Sequence, residues 1–320
     1  MKHVRRRLDN WLRPNLLVLA LIAVGCGWLI LSKAATSTTS AEAENASIKA
    51  PAQFLNSTSA SGGSYMRFST ASSGTPQPLG VSGSWNLTFT DEFNGTNLDT
   101  TKWDYGWADY KVPSAPVQQD NEQACYDPSQ VGVANGELTL SVIAKQASCG
   151  DRLATVCGSA NTTRPYTSGN IQTRRKYTQS YGYFEARIWL DADVSNNIYN
   201  WPAWWLDGEP WPTKGELDIM EGLGGTAEST WHGPVSGGNG FNFGHHGPLG
   251  GWHTFGANWE PGIVSSYVDG KFVKSYADSA NIVSGPQFFV LGLQMTCKSG
   301  YITKAPSQMK VDYVRAWQKQ

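Results

Sequence analysis

The feature that most constrains the fold is a period-two alternation of apolar and polar residues, which recurs in short segments from Trp85 onward. In the segment 183–190 every second residue is apolar, and Leu138, Leu140 and Val142 alternate with polar residues in the same way. Such alternation is typical of β-strands with one buried face, because successive side chains point to opposite sides of a strand. The chain shows no long helical period, so these segments predict an all-β sandwich of two antiparallel sheets.

Turn signals and composition support the same class of fold. The run 263–268 ends at Asp269-Gly270, a dipeptide that favours a tight hairpin. The chain contains 34 glycines and 14 tryptophans, which favours many turns and an aromatic-lined surface. The formal net charge is -1, and no block of like charge lies outside the N-terminus, so nothing indicates a nucleic-acid partner.

The N-terminus has the pattern of a targeting segment. Five basic residues precede an apolar run over 16–31, and small residues follow at 32–34. This arrangement predicts a signal peptide over 1–34, either cleaved or kept as a membrane anchor. We therefore expect a secreted or extracellular protein that contacts a membrane only through this segment.

The remaining chain divides by composition. Residues 35–81 are rich in Ser, Thr, Ala and Gly and bury little apolar surface, which predicts a linker. Residues 82–320 carry the strand pattern and form the predicted folded domain. We expect this domain to be a monomer.

Four cysteines follow the N-terminal segment: Cys125, Cys149, Cys157 and Cys297. An even number of cysteines in an exported chain indicates disulfide bonds. Three pairings are open. We favour Cys149–Cys157, which closes a short local loop, together with Cys125–Cys297.

The run Glu216-Leu217-Asp218-Ile219-Met220-Glu221 holds three carboxylates in six residues. Carboxylates crowded on one strand face repel each other, so the pKa of at least one should rise. A matched acid and base for bond cleavage is the natural use of such a cluster, and a solvated acidic face or a calcium site is the alternative. In a regular strand Glu221 would point away from Glu216 and Asp218, but a β-bulge at Met220 would return it to their face.

Tryptophans flank this acidic strand. Four lie upstream and one downstream: Trp201, Trp204, Trp205, Trp211 and Trp231. Sugar rings present apolar C–H faces that pack on aromatic rings, while their hydroxyls need polar partners. The neighbourhood therefore favours a glycan as the ligand.

At this point the chain resembles glycoside hydrolase family 16, because the run 216–221 matches the family's ExDxxE signature in its bulged form. Further matching segments extend the resemblance over about residues 85–318. They are 91–95, 121–123, 166–169, 181–187, 201–205, 252–255 and 311–315.

The resemblance implies a jelly-roll sandwich with a concave glycan-binding cleft and a retaining mechanism. Glu216 would be the nucleophile, Glu221 the general acid and base, and Asp218 the residue that tunes the nucleophile's protonation. The matching sugar-contact positions are Glu122, Trp201, Trp205, Trp211 and His232. Catalysis would need no cofactor, and a structural calcium ion would be held by Glu92, the Gly136 carbonyl and Asp312.

The bulged signature resembles that of laminarinase-type members, so the expected substrate is β-1,3-glucan or a mixed-linkage β-1,3-1,4-glucan. Agarases and carrageenases share the bulged form, but no basic cluster suited to sulfated sugars accompanies the motif here. The chain departs from the family at 291–297, which bears on subsite shape. A non-catalytic glucan-binding protein and a wall-glycan transglycosylase on the same fold are the alternatives.

Overall fold

The structure is a computed structural model that describes residues 52–56, 64–68, 75–107, 113–116, 121–149, 157 and 163–320. The predicted N-terminal targeting segment, 1–34, lies outside the described residues. Among the residues that are described, none belongs to a helix of the length and apolar character needed to span a membrane.

The chain divides into two compact units, Met1–Ala71 and Ser72–Gln320. In the first unit, strand β1 (Ala52–Asn56) pairs antiparallel with strand β2 (Ser64–Phe68). This hairpin falls within the segment for which the sequence predicts a linker.

In its described residues the second unit is built from strands, and a 3-10 turn at Pro128–Gln130 joins two of them. The strands are β3 (Trp85–Asp91), β4 (Asp104–Tyr105), β5 (Ala124–Tyr126), β6 (Val131–Ala134), β7 (Glu137–Ala147), β8 (Arg164–Ser168), β9 (Asn170–Gln172), β10 (Gly182–Leu190), β11 (Trp201–Gly208), β12 (Glu216–Leu223), β13 (Thr226–His232), β14 (Gly240–Gly247), β15 (Gly251–Glu260), β16 (Ile263–Val268), β17 (Lys271–Ala277), β18 (Gln287–Gln294) and β19 (Ser307–Lys319).

These strands form two sheets. The ten-stranded sheet runs in the order β17-β16-β15-β10-β19-β7-β8-β5, with β3 paired to β19 and β6 to β7. The seven-stranded sheet runs in the order β14-β13-β12-β11-β18-β9-β4. Among the described strands, all pairings are antiparallel except that of β5 with β8. The predicted all-β sandwich of two antiparallel sheets is confirmed.

The hydrophobic core lies between the sheets. Because apolar and polar residues alternate, one face of each strand packs into this core. Among its fully buried residues are Trp204, Trp231, Trp259 and Phe289. The opposite side of each sheet is called its outer face below. Side chains on an outer face are free to serve stability or function, because the core does not fix their chemistry.

The segment 75–81, which precedes β3, lies against the ten-stranded sheet. Trp317 donates its indole N–H to the Pro76 carbonyl at 2.7 Å. The Leu79 amide donates to Glu185 at 2.9 Å, and Tyr183 donates its hydroxyl to the Leu79 carbonyl at 2.8 Å. These contacts attach the last residues of the predicted linker to the sandwich.

Two disulfides join the four cysteines, but the predicted pairing is wrong. Cys125 bonds Cys149 and Cys157 bonds Cys297, with Cα–Cα separations of 5.7 and 5.8 Å. The local-loop argument failed because sequence proximity does not determine which cysteines the sheets bring within bonding distance.

Candidate active site

The acidic strand β12 contains the predicted bulge. Against β11, Asp218 lies opposite Trp205 and Met220 lies opposite Trp204, so one residue of β12, Ile219, has no partner there. Against β13 the register is likewise interrupted between Asp218 and Glu221. The predicted bulge at Met220 is confirmed as a two-residue irregularity.

The bulge decides which way Glu221 faces. Ile219 and Met220 are both buried in the core, at 1% and 0% exposure, although they are consecutive. Two consecutive inward residues shift the alternation by one, so Glu221 returns to the outer face shared by Glu216 and Asp218.

The strand register arranges the outer face of the seven-stranded sheet in rows. Across β11, β12 and β13, three successive rows read Asp207–Glu216–His232, Trp205–Asp218–Thr230 and Ala203–Glu221–Glu228. Directly opposed residues have Cβ atoms about 5 Å apart, so each row places its side chains in contact range.

Glu216 accepts a hydrogen bond from the Trp211 indole N–H at 2.5 Å. Burial raises the pKa of Glu216, and the negative charge of Asp218 raises it further, while charged His232 opposes both. The hydrogen bond between the two acids raises the pKa of Glu216 and lowers the pKa of Asp218, so Glu216 is the partner that holds the proton.

Asp218 is 5% exposed and pairs with His232, whose Nε2 lies 3.1 Å from a carboxylate oxygen of Asp218. Burial lowers the pKa of His232, but the hydrogen bond to Asp218 and its charge outweigh that effect and raise the pKa to about 10. The other ring nitrogen, Nδ1, lies 2.7 Å from the Gly238 carbonyl and donates to it. His232 is therefore a fixed cation beside the carboxylates.

Glu221 accepts from the Trp201 indole N–H at 2.8 Å. Burial raises the pKa of Glu221 to about 7, the Trp201 bond offsets part of that rise, and the charge on Glu216 adds to it. A carboxyl group with a pKa near 7 can carry a proton at neutral pH and deliver it to a leaving group.

Sequence reasoning missed a fourth carboxyl group, Asp207. It lies opposite Glu216, is 7% exposed, and has a pKa raised to about 8 by burial and by the charges of Glu216 and Asp218. The alternation of β11, which puts Trp205 and Asp207 on one face, was the available signal.

The flanking tryptophans differ in exposure and in their neighbours. Trp211 is 49% exposed, and Trp201 packs 5.8 Å from Tyr301. Trp205 is 4% exposed and lies 6.1 Å from the half-buried ring of Trp107, which the sequence analysis did not single out. Trp201, Trp211 and His232 thus lie beside the acids, and their role as sugar contacts stays a prediction. Trp205 lies on the same outer face, beside Trp107.

Glu122 does not fit the predicted role of a sugar contact. Its side chain is fully buried and accepts from the Tyr126 hydroxyl at 2.8 Å. Such a carboxyl group is positioned to hold the surrounding loops rather than to meet a ligand.

The predicted calcium ligands do not fit a calcium ion either. Both carboxylate oxygens of Glu92 accept from Arg315, at 2.7 and 2.8 Å, and an oxygen of Asp312 lies 3.2 Å from Arg187. Gly136 lies in the turn between β6 and β7. Guanidinium groups occupy the oxygens that the ion would need.

Within the described part of the chain, one group offers three ligand atoms within 4.8 Å of one another: Glu216, Asp218 and His232. A metal requires a neutral imidazole with a free ring nitrogen, whereas Nε2 of His232 lies 3.1 Å from Asp218 and Nδ1 donates to the Gly238 carbonyl. Calcium also prefers an all-oxygen set, so this cluster is better described as an acid cluster with its counter-ion.

Comparisons with known proteins agree with this geometry. The model of the family described as glycosyl hydrolases family 16 matches residues 118–315. The chain is 29% identical to glucan endo-1,3-beta-glucosidase A1 of Niallia circulans over 77% of its length. It is 30% identical to endo-1,3-1,4-beta-glycanase ExsH of Rhizobium meliloti over 72%. It spans only 40% and 51% of those two relatives.

Among solved structures, the laminarinase catalytic domain of Thermotoga maritima is similar to this chain, with a TM-score of 0.60 and 26% identity. The match covers 74% of this chain and 99% of that domain. The two-sheet architecture described above is thus shared with a jelly-roll enzyme over nearly the whole of that domain.

Proposed function

The chain belongs to glycosyl hydrolase family 16, and on that premise we propose that it is a secreted retaining endo-glucanase acting on β-1,3-glucan or mixed-linkage β-1,3-1,4-glucan. One observation carries the proposal. The bulge at Ile219 and Met220 places Glu216, Asp218 and Glu221 on one outer face, between the indoles of Trp201 and Trp211.

In the proposed double displacement, Glu216 attacks the anomeric carbon while Glu221 protonates the departing glycosidic oxygen. A covalent glycosyl-enzyme forms on Glu216. Glu221, now ionised, takes a proton from water, and the water displaces Glu216 with net retention of configuration. The pKa of Glu221, raised to about 7, lets it hold a proton at neutral pH. Burial raises the pKa of Glu216 as well, so the assignment of acid and nucleophile follows the family signature.

The nucleophile must be ionised when it attacks. Burial and the neighbouring Asp218 disfavour that form of Glu216, but one hydrogen-bond donor and one positive charge favour it. The Trp211 N–H donates to its carboxylate, and the positive charge of His232 also lowers its pKa. Charged His232 supports the site by offsetting the remaining negative charge.

A neutral glucan suits the charge of this surface. Carboxyl groups crowd the three central rows, at Asp207, Glu216, Asp218, Glu221 and Glu228. A sulfated glycan would meet repulsion there, whereas uncharged sugar rings can pack on Trp201 and Trp211. The polysaccharide is the proposed partner, and the two disulfides support a location outside the cytoplasm.

The test is reducing-sugar release from laminarin, lichenan, agarose and carrageenan by the wild type and by Glu216→Ala. We expect release from laminarin or lichenan that Glu216→Ala abolishes. Glu137→Gln is the control, because Glu137 pairs with Lys310 on the ten-stranded sheet.

Three outcomes would contradict the proposal. Sugar release only from agarose or carrageenan would reject β-glucan as the substrate. Tight laminarin binding without release would identify a glucan-binding protein. Longer chains exceeding hydrolysis products, in the presence of an acceptor oligosaccharide, would identify a transglycosylase.

A further inference from the structure

The bulge in β12 faces a single residue of the next strand, Ser229. On β13, Glu228 lies opposite Glu221 and Thr230 lies opposite Asp218, so Ser229 faces the two bulged residues without a register partner. Ser229 is fully buried on the core side of the sheet. Its position therefore couples it to the irregularity that orients Glu221.

The Ser229 hydroxyl holds the bulge directly. It donates to the carbonyl of Ile219 at 2.7 Å. A bulge disrupts the local ladder, and a buried carbonyl without a partner is costly. The serine hydroxyl thus meets the hydrogen-bonding need that the bulge creates.

Two further groups fix the direction of that hydroxyl. The Ser266 hydroxyl lies 2.9 Å from the Ser229 oxygen, and Nε2 of His246 lies at the same distance. Since a hydroxyl donates one hydrogen bond and accepts two, both neighbours act as donors once Ser229 donates to Ile219. Ser266 belongs to the opposite sheet, so this network bridges the core.

The state of His246 matches that assignment. Burial lowers the pKa of His246 to about 4, so the ring is neutral near pH 7. The Nδ1 atom is buried without a hydrogen-bond partner, which places the ring proton on Nε2, facing Ser229. Gly244 leaves room for the ring, because a Cβ there would lie 2.7 Å from His246.

We propose that Ser229 is a positioning residue, which holds the bulge through Ile219 and thereby aims the carboxyl group of Glu221 at the leaving-group oxygen. The inference rests on the proposed function. Without the hydroxyl, the Ile219 carbonyl is left buried and unpaired, and the strand relaxes away from the geometry that turns Glu221 outward. A misplacement of about 1 Å can cost about 100-fold in rate.

The experiment exploits the dependence of acid catalysis on the leaving group. The wild type and Ser229→Ala are assayed on laminarin, whose leaving group needs a proton, and on a 2,4-dinitrophenyl β-laminaribioside, whose leaving group departs without one. We expect kcat/KM on laminarin to fall about 10- to 100-fold in Ser229→Ala, and on the aryl glycoside by less than about threefold.

Ser265→Ala is the matched control. Ser265 also makes a hydroxyl–hydroxyl bond, to Ser275 at 2.8 Å, but this pair lies away from the bulge. We expect it to leave both rates unchanged. If Ser229→Ala fails to fold, Ser266→Ala removes one supporting bond and should give a smaller loss with the same leaving-group dependence.

Equal losses on the two substrates, or no loss on laminarin, would overturn the role of Ser229. A wild type that turns over neither substrate would refute the proposed function instead, so the two failures are distinguishable.

Discussion

The outer faces of the two sheets both carry Asp and Glu residues, but the acids are paired with bases on one face and crowded together on the other. On the ten-stranded sheet, each of three acids meets a base: Glu92 with Arg315, Asp312 with Arg187 and Glu137 with Lys310. On the seven-stranded sheet, four carboxyl groups crowd together: Asp207, Glu216, Asp218 and Glu221. His232 is a cation in contact with them, through Asp218.

The difference separates residues that serve stability from residues that serve chemistry. Paired acids keep their charge at little cost, because the partner offsets the loss of water. Crowded and buried acids raise one another's pKa values, which costs folding free energy but holds a proton where a reaction can use it. Substitutions on the two faces should therefore have opposite effects on activity and on stability.

The largest effect is expected on the crowded face. Glu221→Gln should lower kcat on laminarin by about 10²- to 10⁴-fold, because it removes the general acid and base. The melting temperature should stay unchanged or rise, since one of the crowded charges disappears. Activity assays and calorimetry on the same preparation measure kcat and the melting temperature. A loss in kcat of less than tenfold would contradict the catalytic role of the crowded face.

Asp207→Asn should stabilise the protein. The pKa of Asp207 is raised from 3.8 to about 8 in the folded state. Between these two values the unfolded chain ionises and the folded protein does not, so the carboxyl group lowers the free energy of unfolding. Asparagine removes that penalty, which we put at about 1–3 kcal/mol near pH 7.5, or several degrees in melting temperature. The gain should vanish below pH 4, where the carboxyl group is protonated in both states. A destabilised variant at pH 7.5 would contradict this account.

Glu92→Gln should act in the other direction. It breaks the two-point ion pair with Arg315 and should lower the free energy of unfolding by about 1 kcal/mol. Turnover of laminarin should not change, because Glu92 lies on the other sheet. Thermal denaturation beside a rate measurement checks the prediction, and a fall in kcat without a fall in stability would argue against it.

The smallest effect is expected for Glu137→Gln. The pair with Lys310 spans 3.6 Å, and both side chains are about one-third exposed, at 32% and 35%. Such a pair contributes less than about 0.5 kcal/mol, so neither stability nor activity should change measurably. A larger shift in melting temperature would show that the pairing on this face stabilises more than its geometry indicates.

Local patterns in the sequence predicted much of the fold and the catalytic strand. Alternation in 183–190 and 138–142 identified strands that the structure contains, and the acid spacing required a bulge at Met220 that is present. These features depend on neighbours along the chain, so the sequence displays them directly.

Features that depend on distant contacts were not predictable in the same way. The disulfide partners of Cys125 and Cys157 are set by strand order. The burial of Glu122 depends on a segment far along the chain, since the Glu122 backbone forms an isolated β-bridge with Thr296. The place of Asp207 in the cluster depends on the strand register, which sets it opposite Glu216. The role of Ser229 could not be predicted, because its partner is a backbone carbonyl and no side-chain pattern indicates it.

The pKa of Glu221 tests the contrast between the two faces most directly. It can be measured by ¹³C NMR of the labelled side-chain carboxyl group in the wild type and in Glu216→Gln. We expect a value of about 7 in the wild type and a lower value in the variant, because the charge of Glu216 contributes to the rise. A value near the ordinary 4.5 in both proteins would contradict it.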